Sequence, residues 1–232
     1  MSDSAPGEPR GSALPPWWAV LLVAVLVAGL AFAVGRFSTF GAGSAAAPPG
    51  TTSPEAGFAR DMQVHHGQAV EMAMDVYRST RNEDIRVLAY DIATTQSAQR
   101  GEFYDWLVRW GLPQAGGPVM GWMTGTAKGH DHAVTPPAAD GSGATDAELL
   151  ARMGMASPAE LASLRAASGA DADCRFLSLM IRHHEGAIPM AQALLELGTD
   201  PRAREVASGI VATQSAEIDL MSSLQRSLSC AP

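Results

Sequence analysis

All six histidines of the chain fall in three tight pairs: His65 with His66, His130 with His132, and His183 with His184. Neutral imidazole nitrogens are the commonest metal ligands a protein offers, so such clustering points to coordination chemistry. Methionines accompany two of the pairs. Met62 stands three residues before His65 and four before His66, and Met72 follows His65 by seven. Met180, His183, His184 and Met190 repeat the arrangement. Spacings of three, four and seven put side chains on one face of a helix. Imidazole alone suits zinc, copper, nickel or iron, whereas thioether sulfur favours Cu(I). Met120, Met123, Met153 and Met155 supply further soft donors between the pairs. Two ordinary readings compete. Methionine at helical spacing commonly fills a core, and histidines in a Gly/Pro-rich connection are equally compatible with solvation.

The donors sit in a duplicated frame. FARDMQVHHGQAVEMA from Phe58 matches FLSLMIRHHEGAIPMA from Phe176, and IATTQSAQ from Ile92 matches IVATQSAE from Ile210. The offset is 118 residues in both blocks, so one two-element unit occurs twice without insertion between its parts. Each copy carries two helical patterns. The first runs from about Pro54 to Ser79 and then from Asn82 to Trp110, the second from about Asp171 to Leu197 and then from Asp200 to Leu228. Asn82, followed by Glu83 and Asp84, starts a helix well, and Gly111 with Pro113 ends it. Two short helices are expected between the copies, at Thr145–Ala151 and after Ser157-Pro158. There is no useful strand alternation. The expected fold is all-α: a four-helix bundle made from two repeated hairpins.

The last helix of each copy is apolar along its inward stripe except for one polar pair, Gln96 with Gln99 and Gln214 with Glu217. A polar group facing a core needs a partner. Counting residues from each hairpin turn places Gln96 at the height of His65 and Gln214 at that of His183. The polar pairs and the histidines are therefore expected to meet inside the bundle, around a metal or as a buried His–Gln network without one.

The net charge is −8 and no Lys/Arg cluster tracks a helix, which argues against nucleic acid as a partner. Residues 1–16 form a short polar tail, and Trp17–Phe37 contains an uncharged apolar run approaching the length of a membrane span, with Trp17 and Trp18 at one edge. We read 17–37 as an uncleaved single-pass anchor rather than a cleaved signal peptide, 38–54 as a tether and 55–230 as an extracytoplasmic domain (repeat 1 at 55–111, connection at 112–170, repeat 2 at 171–228). Cys174 and Cys230 make no CxxC, so a thiolate zinc site is not indicated. They lie at adjoining ends of antiparallel helices, and in an exported domain a disulfide is expected, provided that the chain bends back after Leu228. A di-iron bundle site would need Glu-x-x-His on two helices, and neither histidine pair has a glutamate three residues before it.

MIRHHEGAIPMA with IVATQSAEIDLM and the upstream MGMASPAELASL resemble an exported bacterial family, domain of unknown function 305. The resemblance covers about residues 55–226 and implies a ferritin-like four-helix bundle, with copper binding in some members. Carried over position by position, it implies site roles for His183, His184, Met190, Gln214 and Glu217 in the second copy. In the first copy the corresponding residues are His65, His66, Met72 and Gln96. It also marks the pair Met153 and Met155, and Asp173 just before the cysteine and phenylalanine. The first copy has Gln99 in place of Glu217, and Glu71 in place of Pro189.

The ligand set expected is therefore His65, His66, Met72, His183, His184, Met190, Met153 and Met155. Gln96, Gln214, Glu217, Met62, Met180, Asp173, His130 and His132 are expected as supporting groups or further ligands. Copper is the expected ion, as Cu(I) ahead of Cu(II) or zinc. The function expected is membrane-anchored, extracytoplasmic copper handling by sequestration, transfer or resistance. The alternative is a metal-free interaction or sensory bundle. No nucleophile motif, phosphate loop or cofactor fingerprint indicates an enzyme, and no feature identifies a protein partner.

Overall fold

The computed structural model describes residues 17–18, 21, 25–32, 47–125 and 145–230. The chain forms two compact units, Met1–Ala47 and Pro48–Pro232. In the first unit the described residues between 17 and 32 are helical and exposed. Ten of the 21 positions of the expected anchor at 17–37 lie outside the described residues. No helix among those that are described is long and apolar enough to cross a membrane. His130 and His132 also lie outside the described residues.

The second unit holds four long helices, α1 (Pro54–Ser79), α2 (Glu83–Arg109), α5 (Gly169–Leu197) and α6 (Pro201–Ser227). Between the hairpins lie a 3-10 turn at Gly121–Gly125 and two short helices, α3 (Asp146–Arg152) and α4 (Pro158–Ala166). There is no strand among the described residues. All of these helices except α5 start on a side chain that caps them. The Ser53 hydroxyl accepts from the Ala56 amide and Pro54 follows it, while Asn82 Oδ1 accepts from the Asp84 and Ile85 amides. Asp200 accepts from the Ala203 amide, and Thr145 with Glu148 and Ser157 with Glu160 form reciprocal capping boxes. Each such cap stabilises its helix by about 1 kcal/mol.

Helix α1 packs on α2 within the first hairpin and on α5 across the bundle, and α5 packs on α6. Along every long helix the apolar core is interrupted once. On one side it is built from Phe58 and Met62 of α1, Phe103 and Trp106 of α2, Met190 and Leu194 of α5, and Val206 and Ile210 of α6. On the other it is built from Met72 and Val76, Ile85 and Ile92, Phe176 and Met180, and Met221. The run is ascending on α1 and descending on α5, so these two helices are antiparallel. Between the two halves lies one polar layer, which contains all four described histidines.

The 3-10 turn was not legible in the sequence. Asp61 on α1 accepts from the Met120 amide at 2.9 Å and from the Trp122 indole at 2.8 Å. The Trp122 ring packs edge-on against Phe58 and lies over Gly57, where any Cβ would collide with it. At the same end, Glu55 accepts from the Thr199 and Asp200 amides, tying the start of α1 to the α5–α6 turn.

Cys174 and Cys230 are joined, with Cα atoms 5.5 Å apart. The bend needed after Leu228 is made by Ser229, which takes a left-handed φ of 54°. The Cys230 amide then donates back to the Gln225 carbonyl.

Candidate metal centre

His65, His66, His183 and His184 are fully buried in the polar layer. The rings of His65 and His183, one from each repeat, lie with centroids 3.7 Å apart and planes tilted by 34°. His66 and His184 flank them at 6.1 and 6.2 Å from their neighbours. The two repeats thus contribute to one central cluster rather than to two separate ones.

Every one of these rings is anchored through Nε2. His65 Nε2 lies 2.9 Å from the Met153 carbonyl and His183 Nε2 lies 3.1 Å from the His65 carbonyl. His66 Nε2 lies 2.7 Å from Gln99 Oε1, and His184 Nε2 lies 2.6 Å from Glu217 Oε2. Carbonyls and carboxylates only accept, so Nε2 must donate. A neutral imidazole has one proton, and here Nε2 carries it. Nδ1 is then left with a free lone pair. In all four histidines Nδ1 is buried without a hydrogen-bond partner. The side-chain amides of Gln96 and Gln214 are buried and unpartnered as well. Buried polar atoms left unpaired cost about 1–3 kcal/mol each, so this layer lacks something that binds lone pairs. Metal-ligating histidines commonly donate their other nitrogen to a carbonyl or carboxylate, as these do. The donor set fits a metal ion.

Burial keeps the rings of His65, His66 and His183 neutral. It lowers His65 to about 4 and His66 to about 3, and holds His183 well below its ordinary value. Neighbouring imidazoles push in the same direction, while the Met153 carbonyl opposes it at His65. An unfolded chain would take up protons at these three histidines near pH 6.5, whereas the folded chain refuses them until far lower pH. The metal-free fold is therefore fully stabilised above pH 6.5 and weakens as pH falls from there toward 4. Each histidine contributes up to about 1.4 kcal/mol per pH unit in that window. Urea midpoints measured at pH 7.5 and 5.5 should differ accordingly, and equal midpoints would contradict the buried neutral cluster.

The structure sorts the expected ligands differently from the sequence. Met72 shares its half of the core with Met180, and Met190 shares the other with Met62 and Met153. Thioethers thus flank the histidine layer on both sides, and Met72 and Met190 do not share a half. All five are fully or almost fully buried, while Met155 is half-buried at the edge. Gln96 and Gln214 do not bond the histidines. Their neighbours one turn on, Gln99 and Glu217, do so instead. Asp173 is buried with one carboxylate oxygen unpartnered, but it lies ten residues before His183, about 15 Å along the helix. Among the described residues, no three His, Cys, Asp or Glu side chains converge as a ready-made metal cage. A metal here would draw on imidazole together with thioether or amide donors.

One supporting element escaped the sequence reading. The Met153–Ala156 segment lies across the layer as a strap. Gln68 of α1 grips it, donating to the Ala156 carbonyl and accepting from the Ala156 amide, at 2.8 and 2.6 Å. At the matching position α5 has Gly186, where any Cβ would strike the Met153 carbonyl. Gly154, at φ +73°, sits equally close to the backbone of Arg182. The mismatch of Gln68 against Gly186, one of several between the repeats, is a sequence signal of this docking. Outside it, Arg182 pairs with Glu160 at 2.7 Å and holds that carboxyl down to about 2.

The family described as Domain of unknown function (DUF305) matches residues 55–225. A DUF305 crystal structure from Streptomyces coelicolor is 37% identical, with a TM-score of 0.65, and the match covers 78% of this chain and 97% of that one. A DUF305 fragment from Deinococcus radiodurans is 32% identical with a TM-score of 0.57, covering 74% and 94%. CopM in its Cu(I)-bound form shares the fold at 21% identity and a TM-score of 0.54, covering 75% and 96%. No curated protein matches the chain. With the sequence pattern matched across nearly the whole second unit, the chain belongs to the DUF305 family.

Proposed function

We propose that this protein binds copper, as Cu(I) in preference to Cu(II) or zinc, and handles it by sequestration, transfer or resistance rather than by catalysis. The observation that carries this is the layer of four buried imidazoles, each anchored through Nε2 and each with Nδ1 unpartnered. The Nδ1 atoms of at least two of His65, His66, His183 and His184 would hold the ion, with thioether sulfur available from Met62, Met153 and Met190 on one side and from Met72 and Met180 on the other. Soft sulfur beside neutral nitrogen favours Cu(I). CopM, which shares the fold, has been crystallised with Cu(I), Cu(II) and Ag. The apolar run within residues 17–37 would anchor the chain in the membrane, with the bundle outside the cytoplasm.

Loading the full chain in parallel with Cu(I), Cu(II) and Zn(II), followed by metal analysis, tests the reading. Replacing Met72 and Met190 with leucine preserves volume while removing the sulfurs. The double variant should lose at least tenfold in Cu(I) affinity, with Zn(II) affinity little changed. Equal changes for both ions would return these methionines to the core.

The metal-free alternative draws on a specific observation, the two short side-chain bonds His66–Gln99 and His184–Glu217. On that reading the layer is a specificity network in a bundle that binds no ion, and parallel loading would leave the chain empty.

A further inference from the structure

The two repeats present the same imidazole twice with different backing. His66 Nε2 meets Gln99 Oε1 at 2.7 Å and His184 Nε2 meets Glu217 Oε2 at 2.6 Å, and both pairs are separated by 33 residues. His66 and His184 are both fully buried, and each lies about 6 Å from the central pair of rings. The hydrogen-bonding frames match, with an amide in one and a carboxylate in the other, while His66 also packs against Phe103 where the repeat counterpart is Met221. The Glu217 side chain is itself largely buried, at 15% exposure.

A carboxylate behind an imidazole makes the ring a stronger donor and adds negative charge close to whatever the other nitrogen binds. Both effects favour an ion of higher charge. An amide in the same place orients the ring equally well and adds no charge. We infer that Glu217, acting through His184, is the positioning residue that sets the balance between Cu(II) and Cu(I) at this centre, with Gln99 as its neutral counterpart behind His66. The inference rests on the copper reading above and assigns one residue the tuning of oxidation state. Removing the charge should shift the site toward Cu(I), and adding it behind His66 should shift the site toward Cu(II).

The test uses four full-length proteins: the parent, Glu217→Gln, Gln99→Glu and the double exchange. These changes are nearly isosteric, and the double exchange keeps the total charge. Cu(I), Cu(II) and Zn(II) affinities are measured separately by competition with chelators. Glu217→Gln should weaken Cu(II) and Zn(II) by about 10–100-fold while Cu(I) stays within about threefold. A tenfold fall in the Cu(II)/Cu(I) affinity ratio raises the reduction potential of the bound copper by about 59 mV. Gln99→Glu should shift the ratio the other way, and the double exchange should return toward the parent.

A metal-free readout stands beside these. The His184 Nε2–H proton resonance should lie far downfield in the parent and move upfield in Glu217→Gln, with His66 unmoved. If Cu(I) and Cu(II) weaken together, if the double exchange recovers nothing, or if the His184 resonance stays put, the inference fails although copper still binds. A parent that takes up none of the three ions overturns the copper reading itself.

Discussion

Changing His183 and His184 together to alanine is expected to lower Cu(I) affinity by more than about a hundredfold. Removing a group that only orients a metal ligand commonly costs 10–100-fold, and this change removes ligands themselves, so it should exceed about that range. Both lost rings have Nδ1 buried and unpartnered, and the His183 ring lies 3.7 Å from that of His65 in the other repeat. Half of the shared cluster would go at once. Chelator competition gives the affinity, and circular dichroism checks that the helices persist. A variant binding Cu(I) as tightly as the parent, with the same stoichiometry, would place the ion elsewhere.

Gly186→Ala should produce a large loss of stability from a single methyl group. The added Cβ would enter the Met153 carbonyl, and that backbone is already held by Gln68 through Ala156 and by His65. Overpacking a closed site costs about 1–3 kcal/mol and more where backbone cannot retreat. For a domain of this size that is a fall in melting temperature of about 5–10 °C. Gly209→Ala is the matched control. It lies in the interior of α6 with open space around its missing Cβ, so alanine there should raise the melting temperature slightly. If both variants melt alike, the strap is not seated as described.

The long helices were legible because each has both of its signals in the sequence: capping residues such as Asn82 and Asp200, and apolar spacing between them. The repeat made the histidine pairs conspicuous and placed them at one height. Rise per residue, however, cannot separate neighbours on one stripe. Gln96 and Gln99 are one turn apart and both face inward, so counting along the chain selected Gln96, whereas contact selected Gln99. In the second repeat the resemblance had already marked Glu217 beside Gln214, and Glu217 is the one in contact with His184. Met72 and Met190 look equivalent in the repeat, but antiparallel packing of α1 and α5 puts them in opposite halves of the core. The strap was hidden for a different reason. It bonds His65 through the Met153 carbonyl, and backbone groups carry no residue signature. Asp61 and its grip on Met120 and Trp122 were hidden too, because its repeat counterpart is Leu179 and the turn it holds has no periodicity.

The proposed copper site lies among the four imidazoles, with the ion bonded through Nδ1. Anomalous diffraction at the copper edge, from crystals of Cu(I)-loaded protein, would locate it. A strong peak is expected within the polar layer, at bonding distance from Nδ1 of at least two of His65, His66, His183 and His184, with Nε2 still on Gln99, Glu217 and the two carbonyls. A polar layer without a peak, in crystals that hold copper elsewhere on the chain, would contradict it.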